Sequence, residues 1–250
     1  MGYQPMRPKR SALLPMYLLC VLCVSAVNPS SSPTSQPADP TFQRQLETLD
    51  NKVAKIQDLS ATFTQQKFTT LLKKPLTSAG AILVKGSRMR WDTAKPRHTI
   101  MSIDDKEVKI LYVDRKVMEI YALGQRLGDL AASPIPRLQI MRKHFTMEPL
   151  DAAALEKDPA PSHLAIKLTP TDAALAEHLE SVRVLIDSDT GCIVKVEMND
   201  PDGDRTLITF SHLKINSQLP DADLDLVAPP GTTISRPLEG LEGGSAPSPH

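Results

Sequence analysis

Leu59-Ser60-Ala61-Thr62-Phe63-Thr64-Gln65-Gln66 decides the fold. Leu59, Ala61, Phe63 and Gln65 alternate with Ser60, Thr62, Thr64 and Gln66, the period of a strand with one face on a core. Upstream the period is different. Asp39-Pro40 reads as an N-cap followed by Pro at the first helical position. Phe42, Leu46, Leu49, Val53 and Ile56 then recur every three or four residues, which makes one apolar face of an amphipathic helix. Such a face needs a surface to cover.

Downstream, strand-like runs follow at Leu76–Lys85, Arg88–Asp92, Thr99–Ile103, Lys106–Val113 and Lys116–Ala122. Turn formers separate them at Gly86-Ser87, Asp104-Asp105 and Asp114-Arg115. Connections this short join antiparallel neighbours, because a parallel pair needs a crossover of about a dozen residues. Between Gly124 and Asp158 the spacing of Leu127, Leu130, Ile135, Leu138, Ile140 and Met141 predicts short helices punctuated by Pro134, Pro136 and Pro149. Strands resume at His163–Thr169, Glu180–Asp187, Cys192–Asn199 and Arg205–Asn216, with hairpin signals at Asp189-Thr190-Gly191 and Pro201-Asp202-Gly203. The expected fold is α+β: one large curved antiparallel sheet of about ten strands, an unclosed half-barrel with a helical lid or plug. A sheet this wide curls, and helices on its concave side would enclose an apolar cavity.

The ends of the chain carry a different message. Arg7, Lys9 and Arg10 precede an apolar stretch from Ala12 to Val24, and Val24-Ser25-Ala26 supplies small residues for cleavage. That is the three-part pattern of an export signal over residues 1–26, and it predicts a periplasmic protein. Residues 27–39, rich in Pro and Ser, read as a linker, and 238–250, rich in Gly, Ser and Pro, as a flexible tail. The folded domain is expected over 40–237. Removal of residues 1–26 takes Cys20 and Cys23 away and leaves Cys192 without a disulfide partner. It also takes three cations from a chain with 29 basic and 29 acidic residues, so a net charge of zero becomes about −3. Balanced charge argues against nucleic-acid binding.

Motifs for chemistry are scarce. The chain has no Gly-x-Ser-x-Gly elbow, no Gly-rich phosphate loop and no His-Glu-x-x-His pair. Its six histidines lack metal-ligand spacing, and Cys192 follows a turn without a nearby His. Asp200-Pro201-Asp202-Gly203-Asp204 begins like a calcium loop, but the twelfth position is Ser211 where that loop needs Glu. No enzyme, cofactor or metal is expected.

What remains is Arg88-Met89-Arg90-Trp91-Asp92, in which Met89 and Trp91 share one face and the charged residues the other. Together with Phe63-Thr64-Gln65, Ser78-x-Gly80, Pro96, Tyr112, Ile186-Asp187 before Gly191, Thr206–Phe210, Asn216 and the closing Asp225-Leu226-x-x-Pro229-Pro230-Gly231-Thr232, this order of elements resembles the LolA-type periplasmic lipoprotein carrier family. The resemblance spans about Phe42 to Ile234. It implies a monomeric carrier that takes lipoproteins, or other acylated cargo, from an inner-membrane transporter to an outer-membrane acceptor. Phe63, Met89, Trp91, Met101, Met118, Leu127, Leu130, Ile135 and Met141 are the candidate lining of the acyl cavity, and thioethers suit a variable ligand. Family members carry a lid-closing Arg before the Trp strand. Here that segment is Lys85-Gly86-Ser87-Arg88, which makes Lys85 and Arg88 the candidate lid contacts. Two other functions fit the same fold: a regulatory module that senses lipids or peptides, and a structural envelope protein without a cavity.

Overall fold

The computed structural model describes residues 40–122 and 133–237. The expected helix is α1, Pro40–Val53, with Phe42, Leu46 and Leu49 buried along one face. The first strand, β1, runs Asp58–Phe68, and its early residues alternate between buried and exposed as the sequence pattern requires. Next come β2 (Leu76–Lys85), β3 (Arg88–Lys95), β4 (Thr99–Ile103), β5 (Glu107–Tyr112) and β6 (Val117–Ala122), each antiparallel to the one before. After a short helix α2, Leu138–His144, the chain adds β7 (Phe145–Leu150) and β8 (His163–Pro170). A single turn α3 (Ala173–Ala176) leads to β9 (Ser181–Asp187), β10 (Cys192–Asn199) and β11 (Arg205–Ile215). The last strand, β12, is Thr233–Ser235.

All twelve strands form one sheet in the order β12-β6-β5-β4-β3-β2-β1-β11-β10-β9-β8-β7. Its two edges, β12 and β7, do not pair with each other, so the sheet is open. Every neighbouring pair is antiparallel except β12 with β6. The sequence reading holds for ten strands and misses two. Strand β7 lies in the section expected to be helical, where α2 is an α-helix among the described residues, and β12 is an unexpected strand. The expected signal, linker and tail, and Leu127 and Leu130, lie outside the described residues.

One buried cluster collects the inward residues of β1 to β5 and β8 to β11 together with α1, Leu138 and Phe145. A hairpin anchors the far end of α1. Lys52 Nζ donates to the Ser188 carbonyl at 2.6 Å, and Gly191, at φ +79°, passes the helix so closely that an added Cβ would lie 3.2 Å from Lys52 Cβ. Asp187 organises that turn. Burial alone would raise its pKa, but hydrogen bonds from Thr190, Ser162 and the Asp189 amide outweigh burial and hold it below the ordinary carboxylate value.

The tightest point of the sheet is Gly80. A Cβ there would meet the Asp92 carbonyl oxygen at 1.8 Å and the Phe63 ring at 3.0 Å, beside a register shift between Ala79 and Gly80. Only a residue without a side chain lets β3 approach here.

Two stability effects follow. Gly80→Ala forces β2 and β3 apart and costs about 2–3 kcal/mol, read as a Tm lowered by roughly 5–10 °C. Thr190→Val removes a hydrogen bond to a carboxylate and costs ~1 kcal/mol at neutral pH. Because the folded pKa of Asp187 is depressed, that contribution is present above the unfolded value of about 3.9 and disappears as pH falls through the folded value. Urea unfolding of the two proteins should therefore differ at pH 7 and converge in strong acid.

Candidate functional site

The concave face is built by strand alternation. In β3 it presents Met89 and Trp91, in β2 Ile82 and Val84, in β1 Ala61 and Phe63, and in β11 Ile208 and Phe210. Pairing aligns Phe63 with Gly80 on one side and Phe210 on the other. Since Gly80 has no side chain, the ring of Phe63 reaches across to Trp91 at 4.4 Å between centroids, tilted by 44°. Trp91 also meets Phe210 edge-on at 6.1 Å. Offset and edge contacts of this kind suit the ring quadrupoles. The three aromatics and Met89 are buried, Trp91 being 7% exposed.

Burial falls off toward β6. Met101 is paired with Trp91 and is only half-buried, as are Tyr112 and Tyr121. From the other side Ile135 and Met141 pack on the same cluster and are likewise half-buried, while Leu138 between them is sealed. The structure thus brings six of the expected lining residues onto one face: Phe63, Met89, Trp91, Met101, Ile135 and Met141. A carboxylate shares the β6 end of this face. Glu119 Oε2 accepts from Tyr112 Oη at 3.1 Å and from Tyr121 Oη at 2.9 Å. Burial first, then the Glu119 charge, pushes the Tyr112 phenol above its ordinary value.

Met118 does not share this face. It pairs with Leu111 and joins Ile100, Ile120 and Leu226 in a second cluster on the opposite side of the sheet. Register explains the correction: Ile110 opposite Glu119 points one way, and Leu111 opposite Met118 the other.

The candidate lid contacts are corrected in the same sense. Lys85 Nζ donates to the Leu219 carbonyl at 2.8 Å and pairs with Asp221 at 2.7 Å. That bond and charge hold the Asp221 carboxyl below its ordinary pKa. Arg88 pairs with Asp225, and Arg90 donates to the Asp225 carbonyl at 2.8 Å. These cations share the outer face and clamp the C-terminal segment 219–226 there. Leu224 is fully buried, and its carbonyl accepts from Ser102 Oγ at 3.2 Å. A groove of about 530 Å³ beside this segment is lined by Gln57, Asp58, Lys85, Asn216, Gln218 and Leu219. It is polar. Buried Asp58 accepts there from the Ser217 amide at 2.8 Å and the Gln218 amide at 3.0 Å, which ties the strap to the start of β1.

The concave side has its own tie, which sequence reasoning missed. Arg142 of α2 pairs with Asp50 of α1 at 2.7 Å, joining the two helices over the sheet. The Ile193 amide donates to the Pro134 carbonyl at 2.7 Å and holds the approach to α2 on β10. A basic residue in the last turn of a short helix was the only signal available.

Two other candidates resolve as structural. Cys192 is fully buried, and burial pushes its thiol up to about 11, so it packs as a small apolar residue. Asp200, Asp202 and Asp204 bring carboxylate oxygens within 4.8 Å of one another, but the ammonium of Lys67 stands 3.8 Å from Asp200 and 3.4 Å from Asp204. A cation is already provided by the chain.

Comparison with known proteins agrees with this geometry. Residues 54–224 match the family described as outer membrane lipoprotein carrier protein LolA. An outer-membrane lipoprotein carrier protein of Dechloromonas aromatica is 24% identical over 177 residues, covering 70% of this chain and 80% of the relative. Among solved structures, an uncharacterized conserved protein from Thermus thermophilus superposes with a TM-score of 0.51 at 12% identity, over 78% of this chain and 99% of that one. A LolA superfamily protein from Nitrosomonas europaea aligns at 13% identity with a TM-score of 0.40, over 74% and 97% of the two chains. With well over half of its length matched by the family and an open sheet covered by helices, this chain belongs to the LolA family of outer-membrane lipoprotein carrier proteins.

Proposed function

We propose that the protein is a non-enzymatic periplasmic carrier that shelters the acyl chains of lipoproteins between the concave face of its sheet and helices α1 and α2. The observation that supports this reading most directly is the uneven burial of one continuous apolar face. Phe63, Met89 and Trp91 are sealed, whereas Met101, Ile135 and Met141 beside them are half-covered. Acyl chains laid against the half-covered side would complete the burial.

Physical chemistry explains why such a carrier is needed. At ~0.8 kcal/mol per buried CH₂, two or three acyl chains represent tens of kcal/mol of exposure to water. A carrier must remove that surface from solvent and still give it up. Breadth and movable walls serve this better than close complementarity, and flexible thioethers at Met101 and Met141 adapt to chains of different length. The Arg142–Asp50 pair suits a wall that moves. Both side chains are 35% exposed, and half-exposed pairs contribute ~1 kcal/mol or less, so the tie orients α2 on α1 without locking it. An inner-membrane transporter and an outer-membrane acceptor are the partners this function requires.

Trp91 is the single tryptophan of the chain and therefore a built-in reporter. Titration with a brominated fatty acid should quench its emission saturably. Met101→Trp, which fills the half-covered wall, should weaken binding of a fluorescent fatty acid by about tenfold, equivalent to ~1.4 kcal/mol. Native mass spectrometry after co-expression with a triacylated lipoprotein should detect the loaded carrier. Emission untouched by the brominated lipid, together with recovery of unloaded protein alone, would refute the proposal. Asp50→Ala should leave Tm nearly unchanged while amide exchange in α2 accelerates several-fold, because it releases a tie and not a core contact. Unaltered exchange would show that the pair holds nothing.

A further inference from the structure

The link between β1 and β2 presents an unusual surface. Leu71 is 91% exposed, Leu72 47% and Leu76 48%, and Lys73 and Lys74 lie between them in solvent. A turn holds the leucines outward: the Leu72 amide donates to the Thr69 carbonyl at 3.3 Å, and the Thr70 amide to Asp204 Oδ1 at 3.3 Å. The pairing of β2 with β3 stops at Ala79 opposite Lys95, so Leu76, Thr77 and Ser78 run on without a β3 partner. At ~3.3 Å per residue the hairpin projects about 10 Å past β3.

Charge near the tip is partitioned. Lys67 is engaged by Asp200 and Asp204, and Arg205 by Glu197 at 3.0 Å and by the Phe68 ring at 4.2 Å. Lys73 and Lys74 form no ion pair among the described residues. The segment 69–76 therefore offers three leucines and two uncommitted cations with no acidic residue of its own.

We propose that this hairpin tip is a membrane contact, which docks the protein reversibly on a bilayer rich in anionic phospholipid. Leu71 and Leu72 enter the boundary between headgroups and acyl chains, while the ammonium groups of Lys73 and Lys74 stay at the level of the phosphates. A protein partner fits less well. A stable protein interface buries roughly 800 Å² on each side, and a narrow projecting tip of five side chains falls far short of that. A bilayer asks only for shallow burial and for cations near its surface, each worth ~1 kcal/mol. The contact is weak by construction, as a protein that must leave the surface requires. The proposal goes beyond the carrier reading and is independent of whether the concave face holds an acyl chain.

The test uses the full chain and vesicles of phosphatidylcholine with and without phosphatidylglycerol. The protein should float with the anionic vesicles more strongly than with the neutral ones. Lys73→Glu together with Lys74→Glu should weaken anionic binding by at least tenfold and abolish the preference between the two vesicles. Leu71→Ser together with Leu72→Ser should weaken binding to both. All these residues lie outside the core, and circular dichroism should be unchanged. To read the tip itself, Leu71→Trp adds an emitter that brominated phospholipid should quench beyond the response of the parent protein. Absence of that extra quenching overturns the proposal, whatever the rest of the chain does at the membrane. So does vesicle binding that is indifferent to all four substitutions, or a tip whose variants alter only self-association.

Discussion

An open sheet must cover its broad apolar face across its whole width, and the described residues include little helix with which to do so. Twelve strands at ~4.8 Å spacing make a surface about 50 Å across if laid flat. Against it stand the 14 residues of α1, about 21 Å long, and the 7 residues of α2. Curling reduces the demand by bringing the inward side chains of distant strands toward the same helices. Where β1, β2 and β3 meet, Gly80 lets the Asp92 carbonyl and the Phe63 ring occupy the volume of its missing side chain. The stack of Phe63, Trp91 and Phe210 fills that point. From there toward β6, the helices among the described residues run short before the apolar face does. Among the described residues, cover is incomplete beside Met101, and a carrier could make use of that.

The outer face of the same strands is solved by other means. Ile100, Leu111, Met118 and Ile120 are capped by Leu226, and Leu224 is buried nearby, so the chain returns across its own sheet and adds β12 to the edge. Lys85, Arg88 and Arg90 line up along this return opposite Asp221 and Asp225. Magnitudes decide which interaction holds it. Solvent screens exposed ion pairs and leaves them little net worth, whereas full burial of a leucine side chain contributes about 1.5–3 kcal/mol. The leucines fasten the strap, and the charges set its register. Basic residues before the Trp strand are therefore consumed on the outside, which leaves the tie between α1 and α2 to Arg142 and Asp50.

What could be read from residues alone follows from how local each signal is. Alternation in Leu59–Phe63 and the three-four spacing in Phe42–Leu49 are properties of neighbours, and both elements formed where expected. The strand Phe145–Leu150 was obscured by Pro149, which is tolerated because β7 is an edge strand and the proline need not donate to the ladder. At three residues, β12 is too short to show a period. Among the site residues, parity separates success from failure. Met89 and Trp91 were assigned by alternation and share a face. Met118 was chosen for its residue type, and alternation would have selected Glu119 and Tyr121 in its place. The partners of Lys85 and Arg88 lie more than 130 positions along the chain, a separation that no local pattern encodes.

The carboxylate on the apolar face is the last constraint, and it bears on which way cargo can lie. Glu119 is satisfied by the hydroxyls of Tyr112 and Tyr121, so it costs little in the unloaded protein. A hydrocarbon chain pressed over it would strip the remaining water from a charge without supplying a donor, a penalty of several kcal/mol. In the carrier reading proposed above, chains would therefore lie away from the β6 side and toward Met101 and Trp91. The polar trio then bounds the apolar face on its β6 side. If the face takes acyl chains as proposed, Glu119 would orient them by exclusion, while the aliphatic and thioether wall would supply affinity without demanding a fixed shape.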